Sequence, residues 1–571
     1  MKKAGKRLLA GAVLAGLTMP VSAMAADQEL DKKIDSLTKE IESLKREVKR
    51  TEDKSLGKWL TIGGDYRFRV DSLRGETKPF VSAQGMFKWM GDNALVSVDG
   101  APFGLPVGSY NSGLILSMAA NQMKDIRTYS AASAAAPAFL GMLQGLSAAQ
   151  AAGVGASAPN FQIPAAKPKN DTLYTNRFGL DLHAKATQDV TVNVRLLMYK
   201  TFGSGDDSAV TNSGGTPFFA DRVGVFDGTL GHIPSSDFLG VDRAYATWSN
   251  IADQPVWFSV GRRPSTNGAP SNLRLNNERP GNGGTPSLLV DYAFDGMTLG
   301  WAPDIEALPG AYAKVCYGRG FESGMSQAVG NTLRDTDMLG VAIIPVDTDP
   351  LRVWLQWNRG FNIFDFPVMN NTYFGNTNVS VNLGDIEWYG AGAMSTLKNI
   401  GPGNLNFFAD FGLSVTHPND NVSANAGFQG LLTGQFFQPE APSDKTGWGA
   451  YVGARYDLPT KTKLGFEFNH GSKNWIPFSP AADDMWTSKV GTRGNVYEGY
   501  VIQELNLKPI SSYLSKTFFR VGYQYYDFEY TGSNNWVGAP QKISDLTGAE
   551  MQLLAPLKSA QNIYGTFEVK F

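Results

Sequence analysis

Four histidines, His183, His232, His417 and His470, are the side chains best suited to acid–base chemistry, and "NHGS" at 469–472 sets one of them beside an asparagine and a serine. A relay needs its groups to converge on one point, whereas successive residues of a strand point to opposite faces. The stretch is therefore a poor catalytic constellation. The chain contains no G-x-S-x-G, no H-E-x-x-H and no second cysteine beside Cys316, which also leaves no haem attachment motif and no internal disulfide. "GSGDDSA" at 203–209 offers Asp206 and Asp207 to a hard cation, but a solvated loop accounts for the pair more simply. No enzyme activity, metal or cofactor is expected.

Charges carried on strands are the stronger signal. In "LTIGGDYRFRV", Leu60, Ile62, Gly64, Tyr66, Phe68 and Val70 share one face, and Thr61, Gly63, Asp65, Arg67 and Arg69 share the other. Such alternation makes a strand with an oily side and a wet side. The same grammar runs through "NRFGLDLHAKATQDVTVNVRLLMYK", where a turn at 187–189 joins two strands into an antiparallel hairpin, through "WGAYVGARYDLPTKTKLGFEF", and through "NIYGTFEVKF". The wet-side candidates are Asp65, Arg67, Arg69, Arg177, Asp181, Lys185, Arg195, Arg243, Arg262, Arg263, Arg352, Asp410, Arg455, Asp457 and Arg520. Opposed charges across a water-filled lumen create a transverse field that sorts solutes by charge and dipole, although most such groups simply pair along the wall. "VGRRPSTNGAPSNLR" at 260–274 carries Arg262, Arg263 and Arg274 from a strand into a Pro- and Gly-bearing loop, a candidate for solute contact.

The elements that must hold these charges follow from the rest of the chain. "MKKAGKRLLAGAVLAGLTMPVSAMA" has a basic start, a short apolar stretch and small residues at Ala23 and Ala25, the pattern of a secretory signal over residues 1–25 cleaved after Ala25. Loss of Lys2, Lys3, Lys6 and Arg7 leaves an acidic chain, which argues against a nucleic-acid partner. No later stretch is long and apolar enough for a membrane helix, so any span is made of strands. Charged residues at 18% and a mean hydropathy of −0.20 suit apolar and polar residues that alternate instead of clustering. At 27–55, Leu30, Ile34, Leu37, Ile41, Leu44 and Val48 mark a heptad pattern, expected to form a periplasmic α-helical coiled coil that joins subunits.

The expected fold is all-β: a transmembrane antiparallel β-barrel over residues 58–571 with about 16 strands, 14 to 18 being allowed. Short turns at 187–189 and 459–462 lie on the periplasmic side, and long segments around 72–171, 203–238 and 531–560 lie outside. Trp59, Tyr66, Tyr199, Trp248, Trp257, Trp357, Trp388, Trp448 and Tyr456 are placed to form interfacial girdles. A barrel of this size usually keeps an aqueous lumen. The Ala- and Gly-rich insert at 72–171 predicts a short helix from about Pro137 to Ala152 and a role as a constriction or plug.

"NDTLYTNRFGLDLHAKAT", "GRRPSTNGAPSNLR" and "FNHGSKNWIPFSPAADDMWTSKVGTRGNVYEGYVIQEL", at 170–187, 261–274 and 468–505, resemble a functionally uncharacterised family of porin-like outer-membrane proteins. The stalk-plus-barrel layout is also similar to trimeric porins with N-terminal coiled coils. The resemblance implies a barrel over most of the mature chain and brings no assigned site residues. The expected partners are outer-membrane lipid, further copies of the chain in a dimer or trimer, and small hydrophilic solutes. A second reading is a structural barrel that sleeves or tethers an envelope partner protein.

Overall fold

Alternation with period two becomes sixteen antiparallel strands closed into one barrel. The computed structural model describes residues 59–83, 85, 126–151, 161–206, 232–265, 268–277, 286–325, 333–365, 380–479, 482–507 and 515–571. The expected signal at 1–25 and the coiled coil at 27–55 lie outside the described residues. The barrel strands are β1 (Leu60–Thr77), β2 (Lys169–Lys185), β3 (Val190–Thr201), β4 (Ser236–Trp248), β5 (Val256–Ser265), β6 (Tyr292–Trp301), β7 (Tyr312–Phe321) and β8 (Thr336–Asp347). They continue as β9 (Arg352–Phe364), β10 (Asn382–Ile400), β11 (Gly403–Pro418), β12 (Lys445–Asp457), β13 (Thr462–Gly471), β14 (Gly494–Glu504), β15 (Lys516–Phe528) and β16 (Leu557–Lys570). Each strand pairs with the next in sequence, and β16 closes the ring on β1 in a register running from Asp65↔Lys570 to Thr77↔Leu557.

Connections alternate in length around the ring. Those at 186–189, 348–351, 401–402 and 458–461 are tight turns at one end, the turn end, whereas 266–291, 419–444, 472–493 and 529–556 are long and leave the other, the loop end. The insert after β1 spans 78–168 and not 72–171, because β1 runs on to Thr77 and β2 starts at Lys169, ahead of and behind the Ala- and Gly-rich stretch. Its helix α1 (Tyr129–Ala151) starts well before Pro137, which stands inside it. The start is fixed by Thr128, whose Oγ1 accepts from Ala131 N–H at 3.4 Å, and by Tyr129 N–H donating to Asp420 O at 2.7 Å. Ala132, Ala136 and Phe139 of α1 pack on Val422, Phe428, Phe436 and Phe437 of the connection 419–444. The described part of the insert thus covers another loop.

The outward set is apolar and exposed, as at Phe466 (54%), Val521 (57%) and Ile563 (56%), while most of the inward set is buried outside β2–β4. Three aromatics expected in the girdles belong to the inward set: Tyr199 and Trp388 are fully buried, and Trp257 stands on the face of Ser259, under the Arg263 guanidinium at 5.9 Å. Their strand parity decides this, since Met198 and Tyr389 hold the outward positions.

The inward space is not simply water-filled. The described parts of connections 266–291 and 472–493 fold back into the barrel and bind each other: Phe478 N–H donates to Leu289 O at 2.7 Å, Asp291 N–H to Phe478 O at 3.0 Å, and Ser479 Oγ–H to Ser287 O at 2.9 Å. Leu288, Leu289, Val290, Trp475, Ile476 and Phe478 join wall residues Trp388, Phe408 and Tyr451 in one apolar cluster. Burying each aliphatic chain there contributes about 1.5–3 kcal/mol. Glycine makes the room. A Cβ at Gly412 would stand 2.7 Å from both Leu289 and Trp475, and one at Gly449 would stand 2.5 Å from Trp475. The wall of β10–β12 is hollowed so that these two side chains can lie against backbone.

Candidate functional site

The inward charges divide into two arcs. On β1–β4 they form a chain of shared ions. Arg195 of β3 donates to Asp65 of β1, donates to Asp181 of β2 at 2.6 Å, and lies 3.5 Å from Asp242 of β4. Arg177 Nε is 3.8 Å from Asp65, and Arg243 Nε donates to Asp242 at 3.0 Å. A register shift between β3 and β4 sets Asp242 beside Arg243. Arg195 and Asp242 are buried, but the arc remains partly open around them: the Asp181 side chain is 51% exposed, Arg243 is 17% exposed, and Lys185 at the turn end is exposed.

The arc continues over β5–β9 with a basic bias. Arg263 donates to Ser259 Oγ at 2.8 Å and to Thr298 Oγ1, Lys314 stands inward on β7, and Arg352 donates to the Tyr312 hydroxyl at 3.0 Å and lies 3.7 Å from Asp347. Adjacent Arg262 cannot share this face. It stands opposite Asp295, in the row that continues through Met297 and Leu299, with its Nη1 3.6 Å from the half-exposed Asp295 carboxylate. Of the two neighbouring arginines, Arg263 is the inward one.

On β11–β16 and β1 the charges are closed off by the two infolded connections. Arg67 grips Asp483 with both Nη atoms, the second at 2.7 Å, over the Tyr199 ring at 5.2 Å. Arg69 pairs with Asp71 at 2.7 Å and donates to Asp483 O at 3.2 Å. Arg455 forks onto Asp457 at 2.7 and 2.8 Å and reaches Leu273 O at 2.6 Å; Arg520 bonds Glu568 at 2.9 Å and Arg274 O at 2.7 Å. Asp410 accepts from Trp354 Nε1 at 3.1 Å and is buried. These expected pore-lining residues serve as anchors.

The anchors' partners carry little signal in the sequence. Asp483, Asp484 and Lys489 sit in the connection 472–493, and Arg274 in 266–291. Arg274 donates to Asp484 at 2.7 Å, and Lys489 binds Glu467 and, at 2.5 Å, Glu498. Lys570 Nζ holds Leu275 O at 2.9 Å and Asn277 Oδ1 at 2.5 Å near the turn end. Residues 268–276 are all buried, and Leu273, Arg274 and Leu275 of the "GRRPSTNGAPSNLR" region dock on Arg455, Arg520 and Lys570 in the wall of β12–β16. Burial alone would raise the Asp483 carboxyl, but Arg67, with Arg177 and Arg69 behind it, holds it far below the usual carboxylate range.

The histidines stay apart. His183 pairs with Asn193 at 2.6 Å, His470 with Asn495 at 2.9 Å, His417 with Asp444 at 3.1 Å, and His232 lies 3.7 Å from Asp291. Asp206 accepts from Ser204 Oγ–H at 3.0 Å, and Asp207 lies outside the described residues. Among the described residues no group of three or more His, Cys, Asp or Glu is placed to hold a metal ion.

Among solved structures the chain is similar to OprB of Pseudomonas putida, at 10% identity over 91% of this chain and 96% of that one, with a TM-score of 0.40. It is also similar to an anion-selective porin from Comamonas acidovorans, at 9% identity over 90% and 99%, TM-score 0.35. A loop L8 deletion mutant of OmpT, an outer membrane protein of Vibrio cholerae, aligns at 10% identity over 70% and 93%, TM-score 0.36. No curated protein matches the chain in sequence. A family model described as "Protein of unknown function (DUF3373)" matches residues 167–571, the run from just before β2 to the end of the barrel, and the chain belongs to that family.

Proposed function

We propose that this protein is an outer-membrane barrel that passes small hydrophilic or ionic solutes by passive diffusion. The carrying observation is the exposed charge left on the inward face of β2, Asp181 and Lys185, with Arg243 of β4 partly open, beside an otherwise packed interior. The passage runs along the β2–β9 arc, between that wall and the infolded 268–277 segment. Arg177, Lys185, Arg195, Arg243, Arg263, Lys314 and Arg352 outnumber Asp65, Asp181, Asp242 and Asp347 there, which favours anions. The exposed apolar outer face supports a lipid setting, because isolated soluble proteins do not present such a band. In this reading residues 1–25 export the chain, residues 27–55 form a periplasmic stalk, the loop end faces outward, and copies assemble as a dimer or trimer.

Single-channel recording in planar bilayers tests it. Discrete conductance with a reversal potential displaced toward anions under a salt gradient is expected; a folded, reconstituted barrel that stays silent defeats the channel. The packed cluster along β8–β12 favours a second reading, a structural barrel tied to an envelope partner protein. Silence in the bilayer together with a stoichiometric partner retained through detergent purification is the outcome that reading requires.

A further inference from the structure

The loop end holds a cation that differs from all the anchors. Arg67, Arg69, Arg274, Arg455 and Arg520 are buried, and each faces a carboxylate. Arg493, the residue before β14, is 1% exposed and has no carboxylate partner among the described residues. Its guanidinium donates only to backbone carbonyls: Trp475 O at 3.0 Å, Thr531 O at 3.1 Å, Gly532 O at 2.7 Å and Asn535 O at 2.8 Å. Burial is the single influence on its protonation, pulling it down to about 9. Carbonyl dipoles orient the group without cancelling its charge, and a buried charge without a counter-ion costs several kcal/mol.

A cavity of about 90 Å³ lies against it. The cavity is built mainly from the connection 529–556, with Gln429 and Phe436 of 419–444, and its lining contains no aspartate or glutamate. It is rich in donors that can still be used. Gln552 lines it, and the Gln552 Nε2 is buried without a partner. Ser533 Oγ accepts from Arg493 N–H at 3.0 Å, and Thr531 Oγ1 accepts from Gln541 N–H at 3.0 Å, which leaves both hydroxyl protons free to point at a guest. One fixed positive charge, orphaned amide and hydroxyl donors and no competing carboxylate match a small oxygen-bearing anion.

We propose that this cavity is a binding site for one small oxyanion, a carboxylate or a tetrahedral phosphate-type ion, which neutralises Arg493 and ties the connections 419–444, 472–493 and 529–556 together at the loop end. The site is separate from the lumenal arc and does not depend on whether the barrel conducts.

Equilibrium dialysis of the full-length, detergent-purified protein tests it, using labelled inorganic phosphate and labelled acetate in a low-chloride buffer. About one equivalent of bound probe per chain is expected, each probe displacing the other. Arg493→Gln should weaken binding about 30-fold or more. Because that variant loses a buried anchor, Ala555→Trp provides the independent arm: it fills the cavity, keeps Arg493, and should also abolish binding while the barrel stays folded. No saturable binding of either probe, or binding that survives Ala555→Trp unchanged, overturns the proposal. The tighter of the two probes tells a carboxylate guest from a phosphate-type one.

Discussion

Two parts of one wall use the same residue types to opposite ends. On β1 and β12–β16, Arg67, Arg69, Arg455 and Arg520 are sealed under connections that fold inward, and every charge is matched. On β2–β4, Arg177, Arg195 and Arg243 share Asp65, Asp181 and Asp242 along the wall, no infolded connection among the described residues seals them, and the Asp181 side chain stays half-exposed. Inward charge on a barrel strand therefore has no fixed meaning: it stays hydrated where nothing covers it and fastens an infolded connection where something does. What covers it is written elsewhere in the chain.

The comparison breaks most severely at Asp483→Asn. That change leaves Arg67 buried without its counter-ion, at a cost of about 3–5 kcal/mol. Loss of the heat-resistant folded form on gels at a markedly lower temperature is expected, together with larger single-channel conductance as 472–493 loosens. Gly412→Leu attacks the same plug through volume, since even its Cβ would meet Leu289 and Trp475 at 2.7 Å. A loss of about 1–3 kcal/mol by the same gel assay, again with raised conductance, is expected. Unaltered conductance in both variants would mean that the infolded connections do not limit the passage.

On the open arc the effects should be electrical and not structural. Lys185→Gln and Arg243→Gln should move the reversal potential toward cations while changing stability by no more than about 0.5 kcal/mol. Equal shifts from Arg455→Gln would erase the distinction between the arcs. The smallest effect concerns pH. The Asp483 carboxyl titrates lower in the folded protein than in the unfolded chain, so its stabilisation is complete above the unfolded value and fades only as pH falls toward the depressed one. Melting temperature should stay flat from neutrality down to about pH 4; a decline beginning near pH 6 would place the controlling group elsewhere.

The barrel was legible because its information is local. Leu60 to Val70 alternate cleanly, and turns such as 458–461 are short enough to force antiparallel neighbours. The expected count of about sixteen strands follows from the same grammar. The packed interior was not legible, because the inward positions that receive it are glycines. Gly390, Gly412 and Gly449 read as weak strand residues, and nothing near them in sequence announces Leu289 or Trp475. The available cue was the pairing of that inward glycine run with two long connections carrying "SLLV" and "NWIPF", apolar segments that a surface loop has no use for. The insert at 78–168 drew attention through its length, whereas shorter connections supply the described lumenal contacts.

The 268–277 segment has a consequence for how the molecule is put together. It belongs to the first half of the polypeptide, yet it docks on Arg455, Arg520 and Lys570, which arrive far later. Contacts so distant along the chain are slow to form. Until the late strands take their places, this stretch has only the patch of Ala342, Ile344 and Trp354 under Ala269 to rest on, so the tail of the polypeptide is what locks the early loop in.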